Sequence, residues 1–158
     1  DKLNQPSEQE EGRMHANEWW QSLRARYVHD GVNFVPDVVD NSATLPQDLF
    51  DSVADNLLTN ALRKRQSEPW ISVEARLELH PHLSLSVIDS GNAAPEHVAR
   101  NLFQSPVNSD SGLGVGLYQA ARQAARLGFR LGLTENMPGR VVMSLGAMDS
   151  RPTDTPGS

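Results

Sequence analysis

Residues 71–91 read ISVEARLELHPHLSLSVIDSG. Ile71, Val73, Ala75, Leu77 and Leu79 alternate with Ser72, Glu74, Arg76 and Glu78, the period-2 pattern of a half-buried strand. His80-Pro81-His82 turns the chain. Leu83, Leu85 and Val87, alternating with Ser84 and Ser86, then form a partner strand that ends at Asp89, just before a Gly-containing loop. The stretch predicts a hairpin. Upstream, Phe50, Val53, Ala54, Leu57, Leu58, Ala61 and Leu62 recur at helical spacing over residues 46–66, and Pro46 suits a first helical turn. Downstream, a second helix is expected from Leu113 to Leu127, with Leu117, Ala121 and Ala124 facing inward and Gly128 as its stop. Strands over about 129–135 and 140–146 follow, around the turn Asn136-Met137-Pro138-Gly139.

Helix, hairpin, loop, helix, hairpin is the order of an α+β two-layer sandwich, a mixed or antiparallel sheet with helices on one face. The βαβ alternation of a dinucleotide-binding fold is missing. The glycines of 112–116 follow a polar loop rather than a strand, and no lysine accompanies them, so the Rossmann and P-loop readings fail on context. Nearer the start, Trp19, Trp20 and Leu23 suggest a short amphipathic helix from about His15 to Arg26, and Val32–Val35 reads as a strand before Pro36.

A chain of 158 residues supports one domain with a sizeable core. We assign residues 14–148 to a single domain, and expect residues 1–13 and 149–158, polar and without apolar periodicity, to be disordered tails. Lys plus Arg number 14 against 20 for Asp plus Glu, and a net charge of −6 argues against a nucleic-acid partner. The absence of Cys removes disulfides and thiolate metal sites and suits a reducing compartment, so the cytoplasm is the expected location. No apolar run approaches the roughly 20 residues of a membrane helix.

On the 46–66 helix, Asn56, Asn60 and Arg63 fall within an arc of about 60° beside the apolar stripe. Carboxamide oxygens are hard ligands suited to Mg²⁺, and a guanidinium matches a phosphate. A solvated helix face is the plainer reading of these three alone. Asp89, at a strand end, offers an acceptor to a ligand amine such as that of adenine, and Gly91 lets backbone approach closely; a strand-end Asx turn competes with this. Ser111-Gly112-Leu113-Gly114-Val115-Gly116-Leu117 sets three alternate glycines before a helix, where free N–H groups and the helix dipole favour a polyphosphate. Tight helix packing is the alternative. The segment between Asp89 and Gly112 reads as a lid that orders on nucleotide. His15, His29, His80, His82 and His97 show no metal-ligand spacing, and no Ser-His-Asp arrangement is defensible.

Asn56-Leu57-Leu58-Thr59-Asn60-Ala61 resembles the N box of sensor histidine kinases. Val87-Ile88-Asp89-Ser90-Gly91 resembles their first glycine box, Leu102-Phe103 a short F box, and Gly112 to Leu117 the second glycine box, while Pro138-Gly139-Arg140 and Val141 to Leu145 resemble their closing turn and strand. The resemblance covers roughly residues 46–146 and implies a Bergerat-type ATP-binding fold, the fold of the gyrase, chaperone, histidine kinase and mismatch-repair superfamily, holding ATP and Mg²⁺. It implies that Asn60 holds the Mg²⁺, that Asn56 sits beside the phosphates and metal-bound water, and that both serve catalysis. Arg63 occupies the phosphate-contacting lysine position. Asp89 reads the adenine amine, Gly91 allows close approach, and Gly112, Gly114 and Gly116, with Leu113, Val115 and Leu117 between and after them, wrap the phosphates; Lys64 and Ala93 complete the nucleotide-contacting positions.

Two departures matter. Asn92 and Ala93 follow Gly91 where the family has a second glycine, which implies a stiffer loop and lower affinity. Neither Asn56 nor Ser52 is acidic, although the gyrase branch places a water-activating glutamate on this helix, so phosphoryl transfer is preferred to hydrolysis. None of the five histidines lies in the His-Glu or His-Asp context of a phosphoacceptor. The chain is therefore expected to be the catalytic half of a longer, homodimeric kinase, often with a membrane sensor upstream. Its partners would be an upstream histidine-bearing dimerisation domain and a response regulator in two-component signalling. An ATP hydrolase or serine kinase on the same fold, and a non-catalytic nucleotide-sensing module, are the alternatives.

Overall fold

Alternation along the central hairpin puts Val73, Ala75 and Leu77, and opposite them Leu85 and Val87, on one face of the sheet, where all five are buried. The computed structural model describes residues 12–39, 42–101, 103 and 113–148. In chain order the elements are β1 (Arg13–His15), α1 (Ala16–Arg26), β2 (Val32–Val35), β3 (Thr44–Pro46), α2 (Gln47–Ser67), β4 (Val73–Glu78), β5 (Ser84–Asp89), α3 (Glu96–Asn101), α4 (Leu113–Arg126), β6 (Phe129–Met137) and β7 (Arg140–Ala147). Five strands form the main sheet in the order β2-β4-β5-β7-β6. Within it β2 runs parallel to β4, and the other neighbours are antiparallel. Register sets Asp89, the last residue of β5, between Val73 of β4 and Val141 of β7.

The apolar stripe of α2 lies over that face, with Leu49, Phe50, Val53, Ala54, Leu57, Leu58 and Ala61 all buried. Phe50 joins the layers. Its ring meets Trp19 of α1 edge-on at 5.4 Å and Phe129 of β6 edge-on at 5.5 Å. Each such side chain contributes about 1.5–3 kcal/mol by leaving water. Both Trp N–H groups are satisfied, Trp19 by Asp51 at 2.8 Å and Trp20 by the Pro36 carbonyl at 2.6 Å. The opposite sheet face is polar; the Ser86 and Ser144 hydroxyls share a 2.8 Å hydrogen bond there.

The α+β two-layer sandwich is as expected, with differences at the margins. Arg13, assigned above to the leading tail, opens β1, and β1 pairs with β3 in a two-stranded sheet that no periodicity announces. The first helix begins at Ala16, because His15 is still paired with Thr44. Pro46 ends β3 and precedes α2 rather than opening it. Within the expected lid, residues 96–101 form a short helix after Pro95; residues 102 and 104–112 lie outside the described residues, as do 1–11 and 149–158.

Candidate functional site

Period-2 alternation continues one step past Leu85 and Val87, which places Asp89 on the helix-covered face at 7% exposure. A carboxylate there requires partners. Oδ1 accepts from Lys64 Nζ at 2.9 Å and from the Gly91 amide at 2.9 Å. Among the described residues, no donor reaches Oδ2. Lys64 reaches Asp89 because it lies on the i+4 row Asn56, Asn60, Lys64, which descends α2 beside its apolar stripe and points on to Glu68, the residue that caps the helix. The ion pair is largely buried, with side-chain exposures of 21% and 10%, so removing one partner costs about 3 kcal/mol or more.

The same row holds the loop after β5. Lys64 Nζ also donates to the Asn92 carbonyl at 2.5 Å, and the Asn92 amide donates to Glu68 Oε1 at 3.0 Å. A Cβ on Gly91 would lie 2.7 Å from Glu68 Oε1 and 2.8 Å from Lys64 Cε, so a side chain at 91 would displace the ends of the two side chains that hold the loop. From the other side, the β6–β7 hairpin grips the loop. Asn136 accepts from the Ala94 amide at 2.8 Å and donates to the Ala94 carbonyl at 2.9 Å, while the Gly139 amide donates to the Gly91 carbonyl at 2.9 Å. Ala93 stands between these anchors. Beside them, Ala93, Ala94, Glu96, Phe103 and Asn136 line a depression of about 510 Å³. A larger one of about 820 Å³, on the far face of the sheet, holds none of the expected site residues.

Two turns up the row, Asn56 donates from Nδ2 to the Ser52 carbonyl at 2.8 Å. Its Oδ1 would be 2.3 Å from a Cβ on Gly116, so α4 crosses α2 closely and a side chain at 116 would displace the Asn56 carboxamide. This close approach is what the packing alternative raised from sequence calls for, and it does not bear on whether the Gly116 backbone also meets a phosphate. Asn60 contacts Met143 through Nδ2 at 3.8 Å, a weak contact, and no donor among the described residues reaches its Oδ1. The Leu117 side chain is fully buried and belongs to the core. Leu113, Gly114 and Val115 form the first turn of α4; Gly112 lies outside the described residues, as does Leu102. Arg63 is exposed on the row next to Asn60.

The structure therefore gathers Asn56, Asn60, Lys64, Asp89 and Gly91 along one side of α2 and the ends of β5 and α4. Glu68 and Asn136 were not singled out from sequence. Glu68 carries the signal of continuing the i+4 row, whereas Asn136 sits in a stretch read only as a turn. Among the described residues, no group of three His, Cys, Asp or Glu side chains could hold a metal, and no helix is long and apolar enough to cross a membrane.

The catalytic domain of the histidine kinase ThkA, in a nucleotide-free form, superimposes with a TM-score of 0.66 at 17% identity, covering 86% of this chain and 93% of that one. Full-length ShkA in complex with AMPPNP does so with a TM-score of 0.60 at 16% identity, covering 82% of this chain and 28% of that one. At these identities the likeness is one of fold. No curated protein sequence matches the chain. The model of the family described as histidine kinase-, DNA gyrase B- and HSP90-like ATPases matches residues 44–149, and the chain belongs to that family.

Proposed function

We propose that the chain binds Mg-ATP and transfers the γ-phosphoryl group to a histidine on a separate dimerisation domain. The observation that carries this reading is Asp89: a buried carboxylate at a strand end, one oxygen saturated and the other without a donor among the described residues, under the helix that carries Asn56 and Asn60. Such an acceptor suits an exocyclic amine. Asn60 would hold the Mg²⁺, and its Oδ1, which accepts no hydrogen bond from the described residues, fits a hard cation. When bound, Mg²⁺ neutralises charge on the β- and γ-phosphate oxygens.

In the transfer, an imidazole nitrogen of the acceptor attacks the γ-phosphorus, a P–N bond forms, the bond to the bridging oxygen breaks, ADP leaves, and the imidazole N–H proton passes to solvent. Such a reaction needs positioning and charge neutralisation more than a strong base. The residues present agree with that need, because Ser52 and Asn56 leave α2 without a carboxylate where hydrolysis would require one. A cytoplasmic protein acting in two-component signalling, with a response regulator as the next acceptor, is the setting this reading implies.

The test is transfer from γ-labelled ATP with Mg²⁺ to a histidine-bearing helical-hairpin domain. Label that is stable to alkali and released by acid is the expected result. Acid-stable label would replace this reading with a serine kinase, and steady phosphate release without a labelled protein would replace it with a hydrolase.

A further inference from the structure

Asp89 meets a ligand with half of its carboxylate already committed. The Lys64 ammonium and the Gly91 amide, each at 2.9 Å, fill both lone pairs of Oδ1. Lys64 cannot readily swing away, because Nζ is also bound to the Asn92 carbonyl at 2.5 Å and its stem packs where Gly91 leaves room for it. An amino-purine of the adenine type presents one amine donor beside an acceptor nitrogen, so a single free oxygen satisfies it. A guanine-type base presents two adjacent donors, N1–H and the 2-amino group, and needs both carboxylate oxygens. With Oδ1 capped, one of those donors stays unpaired in a buried site, which is costly.

From this geometry we infer that Lys64 is the base-selecting residue: by capping Asp89 Oδ1 it leaves a one-oxygen acceptor that takes adenine nucleotides and rejects guanine nucleotides. The inference rests on the reading of Asp89 as the group that meets the base. It assigns Lys64 to positioning of Asp89 rather than to direct contact with the nucleotide. The Asn92 and Glu68 contacts become part of the same device, since they hold the loop that supplies the second donor to Oδ1.

The test is the ratio of ATP to GTP affinity, measured by titration calorimetry on the full chain and on Lys64→Met, Lys64→Leu and Lys64→Arg, each checked for folding by circular dichroism. The wild type should prefer ATP by about tenfold or more, as expected for one unpaired buried donor. Lys64→Met should bring the ratio down by about tenfold, with ATP weakened and GTP strengthened, and Lys64→Arg, which keeps a cationic donor, should restore it. Should Lys64→Met not fold, Lys64→Leu, also without a donor, reads the same loss of the cap. A purely structural lysine would weaken both nucleotides together, so a ratio within about threefold of wild type in a folded Met or Leu variant overturns the inference and leaves ATP binding intact. A wild type that binds neither nucleotide overturns the inference and the reading of Asp89 with it.

Discussion

At the Asp89 end of the proposed site, contacts hold the loop from both sides: Lys64 of α2 and Glu68 just past its end, and Asn136 and the Gly139 amide from the β6–β7 hairpin. At the Asn56 and Asn60 end, the described contacts are fewer and of another kind, a close crossing of Asn56 on Gly116 and a weak contact of Asn60 with Met143. One end is preorganised by hydrogen bonds, the other by shape. If the Asp89 end meets the base as proposed, a pocket preorganised in this way spends little free energy on ordering. On the proposed reading Asn60 Oδ1, which accepts no hydrogen bond from the described residues, fits a site completed by phosphates and a cation. The contrast also bears on Ala93. In place of a second glycine, the loop has anchors at 91, 92 and 94, so its stiffness is built in by contacts on either side of that residue.

The contrast can be broken at each end. Gly116→Ala pushes a methyl group to within 2.3 Å of Asn56 Oδ1 and should have the largest effect, about 1–3 kcal/mol of stability, read from the denaturation midpoint. Adding Asn56→Ala should recover most of that loss; no recovery would mean that shape is not what holds this crossing. Asn136→Ala removes two hydrogen bonds from the loop and should cost about 1–2 kcal/mol and weaken nucleotide binding, while leaving the α2–α4 crossing unchanged. Equal loss at both ends would erase the distinction drawn here.

The smallest effect should come from the back of α2, where Tyr27 donates to Asp55 at 3.0 Å and burial, aided by that carboxylate, pushes its hydroxyl up to about 12. A raised folded value means the stabilisation is complete below the unfolded value near 10, and is lost as pH climbs through 12. In a Tyr118→Phe chain, ultraviolet titration of the remaining tyrosine should show a midpoint near 12. Stability relative to Tyr27→Phe should decline between pH 10 and 12, with nucleotide binding at neutral pH unaffected.

Periodicity was enough to read the long helix, the central hairpin and the last two strands to within a few residues, since each buries a repeating face. The short β1–β3 pair was not legible, because its three-residue strands are too brief to show alternation and pair across 31 positions. The parallel seat of β2 beside β4 is likewise a long-range choice. In the site, Asp89 was readable as the next step of the Leu85, Val87 alternation. The partner of that carboxylate was not. The arc drawn on α2 favoured Arg63, whereas the side chain that meets Asp89 is Lys64, one residue on, because the row that faces β5 runs through positions four apart. Asn136 joins the loop only through tertiary contact, which no local pattern records.

The most direct test is calorimetric titration of Mg-ATP into the chain and into Asp89→Asn and Asn60→Ala. The account predicts binding by the wild type, a loss of about tenfold or more in Asp89→Asn, and in Asn60→Ala the disappearance of the Mg²⁺-dependent part while metal-free ATP still binds. Undiminished Mg-ATP binding in both variants would contradict it.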